Sequence, residues 1–365
     1  MTEKKLMKGN EAFGLAAILG GARYYFGYPI TPQNEVTEYM SRELPKAGGS
    51  FLQAESELAA INMAYGAAAA GGRVFISSSS PGIALMQEGL SGLASIEAPV
   101  VVLNVMRGGP GIGNIQPGQA DYFQATRGGG NGDYHSVVYA PASIQEAMDM
   151  IVEAFEVADR IRNPVMVLAD GMLGQMMEPV QLPDKERTFS LEENLKTKPW
   201  ALTGHHNIRE RNVIKSVYLQ QDMLEQHVNH LWEKYKKAEK ELVDWEEVNL
   251  DQAQVVFVSF GTTSRIVKEA MKNLKNIGIE TGMIRPKTLW PFPYPAFERL
   301  WEGTEAVVSC ELSKGQMIQD VALGMAGRIP VSLIHRTGGM LLTPEEITKE
   351  TIRIIEGGGK HEAGF

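Results

Sequence analysis

Three short stretches put polar side chains where chemistry is done. Gly27-Tyr28-Pro29-Ile30-Thr31-Pro32 follows a short apolar run, Glu55-Ser56-Glu57 opens an alanine-rich one, and Arg107-Gly108-Gly109-Pro110 closes the most apolar run of the chain. The Thr31 hydroxyl can donate one hydrogen bond and accept others. At a helix start, free N–H groups would strengthen its hold on a carbonyl or carboxylate oxygen; equally, Thr31 can serve as a helix cap and nothing more. Glu55 and Glu57 are two apart, so on a helix they point in different directions and at most one enters a cleft. Both also suit a helix start simply as partners of its dipole. Arg107 ends a buried run, and an unpaired buried charge is costly. Its fork matches a carboxylate bidentately, whether that of a ligand or of an internal acid.

Other chemistries find no support. Gly108–Gly113 lacks the Lys-Ser/Thr of a phosphate-binding P-loop and does not match the dinucleotide fingerprint. His205 and His206 are adjacent, and His227 and His230 are three apart with no HExxH pattern, so no metal site is expected. Ser77–Ser80 before Pro81-Gly82 reads as a turn and helix cap, its hydroxyls paired with backbone. A net charge of −9 argues against a nucleic-acid partner. No apolar run reaches about 18 residues and no signal peptide opens the chain, so a cytoplasmic protein without a membrane partner is expected. The single cysteine, Cys310, excludes a disulfide framework and any all-cysteine cluster built from this chain alone.

The elements that must position these groups alternate. Asn10 suits the cap of a helix ending at Gly20-Gly21, and Ala22–Phe26 reads as a strand. Pro32 suits the first turn of a helix to about Leu44. Glu55–Ala70 reads as a helix, Arg73–Ser77 as a strand, Ile83–Ile96 as a helix and Val100–Val105 as a strand buried on both faces. Arg107–Asp133 is a long loop with nine glycines and two prolines, a length that favours binding. Ser143–Ala158 and Pro164–Ala169 add a helix and a strand. Pro179–Lys198 reads as a polar crossover. Val217, Leu224, Val228, Leu231, Tyr235, Ala238 and Leu242 form one apolar helix stripe. From Ala253 a second, smaller α/β pattern begins: strands at Gln254–Phe260, Gly278–Ile284, Glu305–Cys310 and Val331–Ile334, helices after Gly261 and over Gly315–Met325. A doubly wound parallel sheet follows for residues 1–190, a crossover and linker helix for 191–250, and a smaller α/β domain for 251–365.

Gly27–Pro32, Glu57–Gly66, Arg107–Pro110, Gln119-Ala120-Asp121, Gly132-Asp133, Ser259-Phe260-Gly261, Pro291-Phe292-Pro293 and Glu311–Met317 together resemble the alpha subunit of thiamine-diphosphate-dependent 2-oxoacid:ferredoxin oxidoreductases, nearest the 3-methyl-2-oxobutanoate type. The resemblance spans essentially the whole chain. It implies a pyrimidine-binding domain followed by a transketolase-C-terminal-like domain. A separate beta subunit would carry the diphosphate, Mg²⁺ and a [4Fe–4S] cluster; gamma and ferredoxin-like delta subunits and ferredoxin are further implied partners. Coenzyme A would take the acyl group. By match, Glu57 would hydrogen-bond N1′ of the aminopyrimidine, chosen over Glu55 because it stands nine residues before Gly66 and follows Ser56. Pro29, Ile30 and Thr31 would line the cofactor. Thr31 would approach the substrate carboxylate, and Arg107 would pair with it or orient the pocket. Relatives commonly carry Ser-Thr-Gly after Pro110. Here Gly111-Ile112-Gly113 removes two hydroxyls, so Ile112 and Asn114 would line a site for a branched aliphatic 2-oxoacid. The alternative, 2-oxoglutarate, needs a second cation, for which Arg127 is the candidate. A non-catalytic scaffold subunit of an iron–sulfur complex is the reading from another class.

Overall fold

The computed structural model describes residues 4–182 and 190–357. In chain order its first strands are β1 (Lys4–Lys8), β2 (Tyr24–Gly27), β3 (Ser50–Gln53), β4 (Val74–Ser78), β5 (Val101–Met106), β6 (Val137–Tyr139), β7 (Val165–Asp170) and β8 (Met177–Gln181). The later ones are β9 (Trp245–Val248), β10 (Val255–Val258), β11 (Thr281–Pro286), β12 (Thr288–Trp290), β13 (Ala306–Glu311) and β14 (Val331–His335). The larger sheet runs β12-β6-β7-β5-β4-β2-β3. All its pairings are parallel except that of β12 with β6. Every residue of β4, β5 and β7 is buried, which is why these strands carry runs such as Val-Val-Leu rather than an alternating pattern. Helices cover both faces, and in this doubly wound sheet the carboxyl ends of β2, β3, β4, β5 and β7 form one rim.

The smaller sheet runs β14-β13-β10-β11-β9, with β9 antiparallel to β11. Its side chains alternate. Val255, Phe257 and Val308 face a core shared with the helices Thr263–Asn276 and Pro344–Ile355, while Val256, Val258 and Val307 join the core of the larger sheet. Cys310 is buried in β13 and its thiol is pushed up by burial.

Strand pairing crosses the segments drawn from sequence. β12, from residues 251–365, extends the larger sheet, and β9, from 191–250, edges the smaller one. Polar contacts reinforce the junction. Gln119 Nε2 donates to Phe260 O at 2.9 Å, while its Oε1 accepts from Thr263 Oγ1 at 2.9 Å and Leu312 N at 3.0 Å. Thr262 Oγ1 donates to Asp170, a carboxyl raised by complete burial. Arg285 binds both oxygens of Glu146.

Several local expectations are corrected. The first helix is Gly9–Leu19, so Asn10 lies inside it and does not cap it. Gly9 sits there because a Cβ would stand 1.9 Å from Leu173 O. Pro32 precedes the next helix, Asn34–Glu43, whose start at Gln33 carries no side-chain cap bond, so Thr31 is not a cap either. The stretch Ile83–Ile96 is two helices, Ser80–Leu85 and Gln87–Ser95. The Arg107–Asp133 loop is not structureless: it contains the helix Tyr122–Thr126 and a bridge from Arg107 to Pro117. Within the crossover, β8 pairs with β1 and Leu191–Lys196 is a helix, while 183–189 lie outside the described residues. The linker helix is Gln221–Leu242. It buries Leu231, Tyr235, Ala238 and Leu242, whereas Leu224 is exposed and Val217 precedes the helix.

Candidate active site

Glu57 is the first residue of the helix Glu57–Ala69. Ser56 caps that helix, its hydroxyl accepting from Ala59 N at 3.2 Å. The cap fixes the direction of the first turn, turning Glu57 inward to 5% exposure while Glu55 stays exposed. Among the described residues, no hydrogen bond reaches the Glu57 carboxylate. Beside it stands Gly82, where a Cβ would lie 2.5 Å from Glu57 Oε1 and 2.1 Å from Ser78 Oγ. Only glycine lets these two side chains approach so closely.

The loop after β2 is held from below. Asn10 Nδ2 and Gln175 Nε2 donate to Pro32 O at 2.7 and 2.9 Å, and both also reach Glu35. Burial would raise the Glu35 carboxyl, but the Lys8 ammonium at 2.5 Å and these amides outweigh it and hold it below its ordinary value. Thr31 itself is half-buried, its hydroxyl 3.4 Å from Asn34 Nδ2, and Pro29 and Ile30 lie beside it, exposed and half-buried.

Arg107 is tied to this loop. Its Nη1 donates to Thr31 O at 2.8 Å and its Nη2 to Ile112 O at 2.9 Å, while Nε is buried with no partner. Among the described residues no acid pairs with it; backbone carbonyls do. Ser80 Oγ accepts from Arg107 N at 3.0 Å and donates to Arg107 O at 3.3 Å. The serine run therefore does not cap as expected: the helix Ser80–Leu85 starts with no side-chain cap bond. Ser77 Oγ bonds Tyr25 and Gln33, Ser80 braces Arg107, and the hydroxyls of Ser78 and Ser79 are buried without partners. Asp121, to which the sequence assigned no role, accepts from Asn104 Nδ2 at 2.9 Å, and burial raises its carboxyl.

The structure brings Thr31 and Arg107 into contact and sets Glu57 on the same rim. It places the other two expected pocket residues differently. The Ile112 side chain is 82% exposed. The exposed Asn114 donates from Nδ2 to Gly338 O at 2.8 Å, tying the loop to the smaller domain, and its Oδ1 accepts from Gln116 N at 2.9 Å. Arg127 binds Asp320 at 3.0 Å and lies over Phe123. Among the described residues, no group of three or more His, Cys, Asp or Glu comes together as a metal site, and no helix is long and apolar enough to cross a membrane. His227 and His230 bond Ser95 O and Glu97 instead.

Buried polar atoms without partners gather at this rim: Gln33 Nε2, Asn34 Oδ1, Ser78 Oγ, Ser79 Oγ, Asn104 Oδ1 and Arg107 Nε. Folding alone does not tolerate many such atoms. A polar heterocycle beside an unpartnered carboxylate suits this donor and acceptor set, so the residues fit an aminopyrimidine.

Residues 15–247 match the family described as pyruvate flavodoxin/ferredoxin oxidoreductase, thiamine diphosphate-binding, and residues 253–347 match pyruvate:ferredoxin oxidoreductase core domain II. The chain is 44% identical to ketoisovalerate oxidoreductase subunit VorB of Methanothermobacter thermautotrophicus, over 97% of this chain and 98% of that one. It is 35% identical to 2-oxoglutarate synthase subunit KorA of Methanocaldococcus jannaschii, over 95% and 99%. Among solved structures it is similar to a 2-oxoglutarate:ferredoxin oxidoreductase from Magnetococcus marinus with 2-oxoglutarate, coenzyme A and succinyl-CoA bound. There the TM-score is 0.83 at 28% identity, and the match covers 97% of this chain but 65% of that one.

Proposed function

The chain belongs to the thiamine-diphosphate-dependent pyruvate flavodoxin/ferredoxin oxidoreductase family, and from that premise we propose that it is the alpha subunit of a 2-oxoacid:ferredoxin oxidoreductase acting on 3-methyl-2-oxobutanoate or a similar branched 2-oxoacid. The reaction is oxidative decarboxylation to acyl-CoA and CO₂ with electrons passed to ferredoxin. The observation that carries the reading is the Glu57 carboxylate, buried at the rim and without a hydrogen-bond partner among the described residues. Bound thiamine diphosphate supplies the carbanion chemistry that decarboxylates the oxoacid. Glu57 would share a proton with N1′ of the aminopyrimidine, its carboxylate accepting the hydrogen bond when that proton sits on N1′. Thr31, beside Pro29 and Ile30, faces the substrate carboxylate. Arg107 locks the carbonyls of Thr31 and Ile112 at a fixed spacing, and so orients the pocket instead of binding the substrate directly.

Residues 1–190 form the pyrimidine-binding domain in this proposal, 191–250 the linker and 251–365 the transketolase-C-terminal-like domain. A beta subunit carries the diphosphate, Mg²⁺ and the [4Fe–4S] cluster; gamma and delta subunits complete a cytoplasmic assembly. The substrate assignment draws on the relatives, 44% identity to a ketoisovalerate oxidoreductase subunit against 35% to a 2-oxoglutarate synthase subunit. It also draws on Arg127, the cation that 2-oxoglutarate requires, being held by Asp320.

The test is reduction of a low-potential acceptor by the assembled complex, with coenzyme A and a panel of 2-oxoacids. The branched acid is expected to lead, and Glu57→Gln to lose on the order of 10²–10⁴-fold in turnover with assembly intact. A tenfold preference for 2-oxoglutarate overturns the substrate assignment. Unchanged turnover in Glu57→Gln overturns the site and leaves the scaffold reading.

A further inference from the structure

Ser78 is the last residue of β4, and its hydroxyl is wholly buried and unpartnered. A buried hydroxyl without a hydrogen bond is a cost to the folded chain. The Glu57 carboxylate, buried and likewise without a bond, lies against the same gap, the one a Gly82 side chain would fill. One group is a donor seeking an acceptor and the other an acceptor lacking a donor. Ser77, one residue earlier, points to the opposite face of the sheet and is fully engaged with Tyr25 and Gln33. Strand alternation thus delivers Ser78 alone to Glu57.

We propose that Ser78 is a positioning residue for Glu57: when the aminopyrimidine binds, the Ser78 hydroxyl donates to Oε1 of Glu57 across the space kept open by Gly82, and this fixes the other carboxylate oxygen toward the ligand. The inference rests on the reading of Glu57 given above and deepens it. A carboxylate at the start of a helix rotates among several rotamers; one donor on one oxygen selects a single rotamer. The hydroxyl has no structural duty to lose, since it bonds nothing in the fold.

The experiment measures equilibrium binding of thiamine diphosphate, and of an analogue whose pyrimidine N1′ is replaced by carbon, to the assembled complex by calorimetry. Wild type, Ser78→Ala and Glu57→Gln are compared, with thermal unfolding of each. Ser78→Ala is expected to weaken the natural cofactor about tenfold, which corresponds to ~1.4 kcal/mol. The analogue, which offers Glu57 nothing, should bind wild type and Ser78→Ala within about twofold, and the midpoint of unfolding should not fall. Equal weakening of both ligands would make the hydroxyl a structural group, and no weakening of either would make it idle; each result overturns the proposal. If Glu57→Gln discriminates the two ligands and Ser78→Ala does not, only the role of Ser78 is lost. If Glu57→Gln fails to discriminate them, the reading of Glu57 falls and this inference with it.

Discussion

Glu57 and Glu311 are both buried glutamates beside a helix start: Glu57 opens its helix, and Glu311, the last residue of β13, reaches the first turn of the helix Met317–Met325. Their surroundings are opposite. The Glu311 carboxylate accepts from Ser309 Oγ at 2.9 Å, Ser313 Oγ at 2.5 Å, Gln316 N at 2.8 Å, Met317 N at 3.0 Å and Ile318 N at 3.0 Å. It neutralises the free N–H groups of the helix Met317–Met325 as a phosphate would. Glu57 has a helix start too, but Ser56 has taken the capping role and the carboxylate is left unbonded. The same difference separates the two sheet rims. The rim of the smaller sheet, facing Gln119 and Asp170, is closed by hydrogen bonds; the rim of the larger sheet collects buried atoms without partners. Where a fold finishes its own hydrogen bonding it is holding itself together. Where it does not, something else completes it.

Breaking the satisfied carboxylate should have the largest effect on the fold. Glu311→Ala strands two hydroxyls and three helix N–H groups in the interior. We expect a loss of at least ~3 kcal/mol in chemical denaturation, with Glu311→Gln recovering part of it because the amide oxygen still accepts. A loss below about 1 kcal/mol would mean the five short contacts carry little, and the contrast with Glu57 would lose its meaning.

Glu35 sharpens the comparison, since it is a satisfied carboxylate directly beneath the open rim. Its folded value is depressed, so its contribution is present above the ordinary carboxyl value of 4.5 and is lost as the pH falls through the folded value. Glu35→Gln should cost ~1–2 kcal/mol at neutral pH, and the gap from wild type should close as the pH drops below 4.5. A gap independent of pH would locate the effect in packing and not in the Lys8 and amide contacts.

The outline of this arrangement was legible in the chain. Apolar runs long enough to be buried on both faces marked β5 and β7, and alternation with helices marked the doubly wound sheet. The spacing from Glu57 to Gly66, with Ser56 before it, singled out one of two glutamates, and the structure buries that one. Other features carried no local signal. Four consecutive serines, Ser77–Ser80, have separate surroundings: a network under the β2 loop, the gap beside Glu57, an unpartnered site, and the Arg107 backbone. What each hydroxyl meets depends on strand alternation and on residues about 25 to 50 positions away. The three-residue strands β6 and β12 are too short to show a period, and their pairing joins segments separated in the chain by the linker helix. Asn10 has the composition of a cap, but the approach of Gly9 to Leu173 starts the helix early and turns Asn10 toward Pro32.

The smallest effect on stability is expected at the residue expected to matter most for activity. A buried carboxylate without a donor is a cost to the folded chain, and an amide of the same shape removes the charge without changing the packing. Glu57→Gln should therefore leave the unfolding free energy of the chain unchanged or raise it by up to ~1–2 kcal/mol, as is common where a site is held ready for a ligand. Added thiamine diphosphate should reverse the order in the assembled complex, stabilising wild type more than the variant because the carboxyl group can share a proton with the ring in a charge-assisted bond that an amide cannot make. If Glu57→Gln instead destabilises the unliganded chain by more than about 1 kcal/mol, the carboxylate is serving the fold in the manner of Glu311. The two glutamates would then differ in their neighbours and not in their purpose.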